Sequence, residues 1–110
     1  MGTLEFEFYN EAPLSDRVEA ELRAEVERRL RALTEGHTDM TGASVAVAEL
    51  TGDATPHIYE VRIVVYVRPE DVVAVEKRET AGGALKGALD AVERQVRELR
   101  ARLRETWKQP

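Results

Sequence analysis

A chain of 110 residues is one domain's worth of polypeptide, and a second independent core does not fit within it. Its composition, 43% hydrophobic and 34% charged, is that of a globular domain, with both charge signs interspersed. Cysteine is absent and histidine is limited to His37 and His57, which excludes disulfide scaffolds, thiolate zinc sites, cysteine nucleophiles and multi-histidine metal centres. The longest apolar run, Ile63 to Val67, falls far short of the roughly 20 residues of a membrane-spanning helix. The first residues offer neither a basic region nor an apolar signal core, so a soluble, cytoplasmic protein with no membrane partner is expected. The net charge of -5 is uneven: residues 1–80 carry 9 Lys+Arg against 17 Asp+Glu, and residues 81–110 carry 7 against 4. An acidic body thus bears a basic C-terminal segment. Such asymmetry suits a polyanion-facing surface, although an Arg/Glu helix kept soluble gives a similar count.

The first element, Leu4 to Tyr9, alternates apolar and polar residues as a half-buried strand does, with Leu4, Phe6 and Phe8 inward. Ser15 or Asp16 can cap the helix that follows, and Val18, Leu22, Val26, Leu30 and Leu33 form one apolar stripe along it. Its other faces mix Glu with Arg, and Gly36 is a suitable stop. Residues 44–50 read as a second strand, and Thr51 to Pro56 as loop chemistry. The third strand is the strongest β signal. Tyr59, Val61, Ile63, Val65 and Val67 lie on one face, with Glu60, Arg62, Val64, Tyr66 and Arg68 on the other. After the turn at Arg68 to Asp71, Val72 to Lys77 returns as a fourth strand. From about Thr80 to Trp107 the period is helical again, with Leu85, Leu89, Val92, Val96, Leu99, Leu103 and Trp107 in one stripe roughly 40 Å long.

The order β-α-β-β-β-α predicts an α+β two-layer sandwich. Strands one and two, joined through a helix, are parallel neighbours with a right-handed crossover, and short loops make the remaining pairs antiparallel. Each helix has one apolar stripe, so both cover one face of a four-stranded mixed sheet, and the other face is left polar. The predicted core comprises Leu4, Phe6, Phe8, Val18, Leu22, Val26, Leu30, Val61, Ile63, Val65, Leu89, Val92, Val96 and Leu99.

No phosphate-cradling loop, dinucleotide fingerprint or nucleophile elbow occurs, and no histidine is paired by spacing with a serine or carboxylate. Neither an enzyme nor a cofactor or metal site is expected. Gly82-Gly83 could place an anion at a helix start, but serves equally as a loose entry to the helix. The last helix is more informative. At 100° per residue, Lys86, Arg97, Arg100, Arg104 and Lys108 fall on one flank of the apolar stripe, interrupted by Asp90 and Glu93. Arg94 lies further round, and Arg102 falls on the opposite flank with Gln95 and Glu98. Guanidinium groups along a rigid rod can make bidentate contacts to phosphates. The plainer alternative is a solvated helix end whose cations suit the macrodipole. Tyr66 and Arg68 on the open sheet face could stack on a base, but two residues do not make a platform.

This order of elements resembles the ribosome hibernation-promoting factor and ribosome-associated inhibitor family, also called protein Y. Asn10 into Leu14-Ser15-Asp16-Arg17-Val18 is similar to the family's strand-loop-helix start, and Ala84 to Val96, continuing to Arg104, to its last helix. Asp90, Arg94, Gln95, Arg100, Arg102 and Arg104 match that helix's run of an Asp, an Arg-Gln pair and alternating basic residues. At positions where the family carries an Asp and a Tyr, this chain has Thr80 and Gly82; Lys86 replaces an acidic residue, and Glu98 and Glu25 replace basic ones. The resemblance is to the short form, with residues 1–110 as a single ribosome hibernation factor-like domain. It implies a non-enzymatic factor that binds the small ribosomal subunit, occupies the tRNA and mRNA path and holds idle ribosomes inactive. Lys86, Arg94, Arg97, Arg100, Arg102 and Arg104 would then contact rRNA phosphates without reading sequence. The alternative is a protein-interaction or assembly module on the same scaffold, since fold does not determine function.

Overall fold

The computed structural model describes the backbone of residues 5–52 and 55–108, and side chains within 5–50 and 58–105. Its elements are β1 (Phe6–Asn10), α1 (Asp16–Thr34), β2 (Met40–Gly52), β3 (Thr55–Val67), β4 (Val72–Arg78) and α2 (Ala81–Lys108). The strands lie in the order β1-β2-β3-β4; β1 runs parallel to β2, and the other pairs are antiparallel.

Local chemistry sets the ends of these elements. Asn10 closes β1 by accepting the Ala12 N–H on its side-chain oxygen at 2.9 Å. Ser15 caps α1, its hydroxyl accepting the Val18 N–H at 3.2 Å. Beyond α1, Gly36 takes φ +74°, a left-handed conformation that glycine adopts without steric cost. Thr80 caps α2 by accepting the Gly83 N–H at 3.0 Å on its side chain and the Ala84 N–H at 3.0 Å on its carbonyl.

One apolar layer holds the domain together. The inward faces of the strands supply Ala43, Val45, Val47, Val61, Ile63, Val65, Val67, Val72 and Ala74. Leu22, Val26, Leu30 and Leu33 of α1 and the stripe of α2 from Ala81 to Leu99 close over them from the same side. The expected sandwich is therefore observed.

Four expectations are corrected or displaced. Val18 is 37% exposed, since the buried stripe of α1 begins only at Leu22, one turn further on. Phe6 and Phe8, on the outer strand, are half-buried, and the Arg23 guanidinium covers Phe8 at 5.1 Å from the ring centre. The segment read as a loop is mostly strand: β2 extends to Gly52 and β3 starts at Thr55, because Gly52 pairs with Thr55 across the hairpin. The open sheet face is not uniformly polar, since Tyr9, Leu50, Tyr66, Val73 and Val75 are all exposed there. Leu4 lies outside the described residues.

Two arginine–carboxylate clasps tie the elements across the layer. Arg29 of α1 grips Glu93 of α2 through Nε–Oε1 at 2.7 Å and Nη2–Oε2 at 2.9 Å, and reaches Asp90 at 2.6 Å. Arg100 of α2 grips Asp39, the residue before β2, at 2.8 and 2.9 Å. The Asp39 carbonyl accepts the Arg68 N–H at 2.9 Å, so the same residue joins α2 to the ends of both β2 and β3. Hydrogen bonds from Arg100 hold the Asp39 carboxyl below its ordinary value against the opposing effect of burial. Those that Arg29 donates to Glu93 raise the arginine further above the titration range.

Two outcomes follow for stability. Leu30→Ala, at a fully buried position, should lower the unfolding free energy by about 2–5 kcal/mol, and Val18→Ala by no more than about 0.5 kcal/mol. Urea titration of the two variants measures the contrast, and equal losses would contradict the packing. Asp39→Asn should cost about 1 kcal/mol at pH 7. A carboxyl lowered on folding stabilises above its unfolded pKa, about 4, and loses that contribution as the pH falls through its folded value. The gap between wild type and Asp39→Asn should therefore close below about pH 4; a gap unchanged in acid would show that the clasp is not ionic.

Candidate nucleic-acid interface

The apolar stripe of α2 is pinned to the sheet, and Arg29 defines the flank that faces α1 through its bonds to Asp90 and Glu93. Lys86, Arg97, Arg100 and Arg104 share that flank by helical geometry. The lower part of it, with the end of α1, forms a groove of about 510 Å³ whose lining includes Arg97, Arg100, Leu103, Arg104, Glu35 and His37. Of the six predicted contact residues, the structure brings Arg97, Arg100 and Arg104 together in this groove. Lys86 lies about three turns before Arg97 on the same flank, and Arg94 is exposed on the outer side of the helix.

Their states differ. Arg100 is nearly covered, with 12% of its side-chain surface accessible and both ends of its fork on Asp39. Arg102 points the other way, to Glu70 in the β3–β4 turn at 3.0 Å. Lys86, Arg94, Arg97 and Arg104 are exposed and make no ion pair or hydrogen bond among the described residues. The two acids that interrupt the basic flank in sequence are both bound by Arg29, which leaves no unpaired carboxylate of α2 between Lys86 and Arg97 on that side.

The first helix is different. Arg17 with Glu21, Arg23 with Glu19, Arg28 with Glu25 and Arg31 with Glu27 are paired along its surface. The Arg28 guanidinium lowers the Glu25 carboxyl through a direct hydrogen bond. These are the spacings at which opposite charges stabilise a helix, and they occupy its cations.

Sequence reasoning missed Arg29 and Asp39. Arg29 lines the groove and Asp39 does not, and each determines which neighbouring charges remain available; their partners lie 61 to 64 residues away, beyond any local pattern. Gly82-Gly83 does not offer a ready anion site, since the Gly83 and Ala84 amides are already bonded to Thr80. Tyr66 is exposed on the open sheet face, away from the helices, and so does not join the basic groove. Among the described residues, no cluster of three His, Asp or Glu is placed to hold a metal ion. No described helix is long and apolar enough to cross a membrane.

The fold is shared by solved structures of low sequence similarity. The N-terminal domain of protein Y from Thermus thermophilus superposes with a TM-score of 0.65 at 20% identity, covering 89% of this chain and 99% of that one. A ribosomal subunit interface protein from Coxiella burnetii superposes with a TM-score of 0.67 at 11% identity, covering 89% and 99%. No curated protein is similar enough to match the chain. The model of the Sigma 54 modulation protein / S30EA ribosomal protein family matches residues 16–104, from the first residue of α1 to Arg104. The chain therefore belongs to that family of non-enzymatic ribosome-binding factors, in agreement with its resemblance to hibernation-promoting factors and protein Y.

Proposed function

We propose that this protein is a cytoplasmic translation inhibitor of the hibernation type. Residues 1–110 act as one domain that binds the small ribosomal subunit through rRNA phosphates and blocks the tRNA and mRNA path. The observation that carries this reading is the set of cations unpaired among the described residues on one rigid helix, Lys86, Arg94, Arg97 and Arg104, beside a groove in which Arg29 binds Glu93 and three arginines of α2 face the single remaining carboxylate, Glu35. Exposed guanidinium groups held on a rod contact phosphates at little ordering cost, which favours Arg over a mobile tail. Arg100 contributes chiefly by holding the helix on Asp39, and Arg102 sits on the far flank as a secondary contact. Membership of the family supports ribosome association, and the ribosomal subunit interface described for the Coxiella burnetii protein is compatible with it.

Thr80, where the family has Asp, keeps the helix cap, because both residue types accept the amides of a first turn. Glu98 is exposed on the side of α2 away from the groove. Neither departure removes an unpaired cation from the α1-facing flank.

Co-sedimentation with purified ribosomes across a salt series tests the reading. Wild type should pellet at low salt and be released as salt rises. Arg97→Glu/Arg104→Glu should reduce the slope of log K against log salt by about 1.4–1.8, two phosphate contacts' worth, with the fold unchanged by circular dichroism. Wild type that stays in the supernatant even at low salt would refute the reading in favour of a protein-interaction module.

A further inference from the structure

β4 is the last strand of the sheet, and its outer edge pairs with no other described strand. The Val73 carbonyl accepts from the Gln95 side chain at 3.3 Å. That contact identifies the phase of the strand: Val73, Val75 and Lys77 turn their backbone groups to the outer edge, and Val72, Ala74 and Glu76 turn theirs to β3. Val73 and Val75 are also 42% and 47% exposed on the open sheet face. An edge carrying unpaired amides and apolar side chains is a template for another strand.

The residues along this edge say which strand fits. They run Glu70-Asp71-Val72-Val73-Ala74-Val75-Glu76-Lys77-Arg78. An antiparallel copy placed by a two-fold axis through Ala74 sets Val73 opposite Val75, Asp71 opposite Lys77 and Glu70 opposite Arg78, each twice. Every charged pair outside the apolar centre is then of opposite sign. The hydrogen-bonding phase agrees, since Val73 and Val75 both present their backbone groups outward and so form a bonded pair. An axis through Val73 instead opposes Glu70 to Glu76, and an axis through Val75 opposes Asp71 to Glu79. Asp71 makes no ion pair among the described residues, and Lys77 has only a long contact to Glu60 at 3.8 Å.

We propose that two copies of this chain pair antiparallel through β4, centred on Ala74, to form one continuous sheet with an isologous two-fold interface. Gln95 does not block it, because a carbonyl oxygen has two lone pairs and can accept from both partners. The edge lies on the flank of α2 away from the groove, so Arg97 and Arg104 remain open in both copies. The dimer thus stands independently of ribosome binding. A single short edge makes a small interface, and the association is weak and concentration-dependent.

Sedimentation equilibrium of the full chain, from about 10 µM to about 1 mM at low salt, tests the proposal. Wild type should show a monomer–dimer equilibrium. Asp71→Lys and Lys77→Asp should each weaken it about tenfold, since each turns two attractive pairs into repulsive ones. An equimolar mixture of the two variants should recover the association, because every like-charge pair becomes an unlike one in the mixed dimer. A wild type that is monomeric throughout, single variants that dimerise as well as wild type, or a mixture no better than its components would each overturn it.

Discussion

Two bidentate arginine–carboxylate clasps determine what the rest of this surface can do. Arg29 and Arg100 each place the planar fork of a guanidinium on a carboxylate, the geometry in which such a pair is strongest and most directional. One runs from α1 to α2 and the other from α2 to the entrance of β2, so α2 is held at two points along its length. Lysine could not replace either arginine with the same effect, having a point charge without a fork. The clasps also sort the charges. They pair two cations with three carboxylates, of which Asp39 and Glu93 are largely covered and Asp90 stays exposed.

The other flank of α2 is held differently. Gly83 and Gly87, which weaken a helix in isolation, lie where the end of β4 crosses it. A Cβ on Gly87 would stand 3.2 Å from Arg78 Nη2 and 3.4 Å from Glu76 Cγ. The missing side chain leaves room for the charged end of the strand to lie against the helix. The intrinsic cost of the glycine is thus offset by close approach, and the rod that carries the basic residues is fastened on both sides.

Much of this was legible before the structure. The 3.6-residue stripes located both helices, the period of two in β3 assigned its inward face, and the element order implied the sandwich. The errors share a cause, which is that position within the fold overrides a local pattern. Val18 continues the periodicity of α1 but lies one turn before the part of the helix that the core covers. The Thr-Gly-Asp-Ala-Thr-Pro run has turn composition, yet its flanks pair as strand because a long hairpin partner is available. The open face was read as polar from the alternation in β1 and β3, whereas Tyr9 and Tyr66 on those strands, Leu50 of β2 and Val73 and Val75 of β4 are exposed on it. The basic flank was found by helical geometry, but which of its members are free depends on contacts more than sixty residues apart. No spacing rule reports those.

The uneven charge of the chain acquires a physical meaning once these pairs are placed. An acidic body repels a polyanion, and simple net charge argues against phosphate contact. Yet four of the five acids of α1 are matched by arginines at helical spacings, and Glu93 in the groove is bound by Arg29, which leaves Glu35 as the carboxylate facing Arg97 and Arg104 there. Among the described residues, what remains unpaired on the α1-facing flank of α2 is positive, while Glu98 and Glu105 lie elsewhere on the helix and the net negative charge belongs to residues 1–80. A molecule so divided has a direction in the field of a polyanion: the helix is drawn in and the body is turned away. Charge separation of this kind orients approach as well as strengthening contact, and it does so without any residue that reads a base.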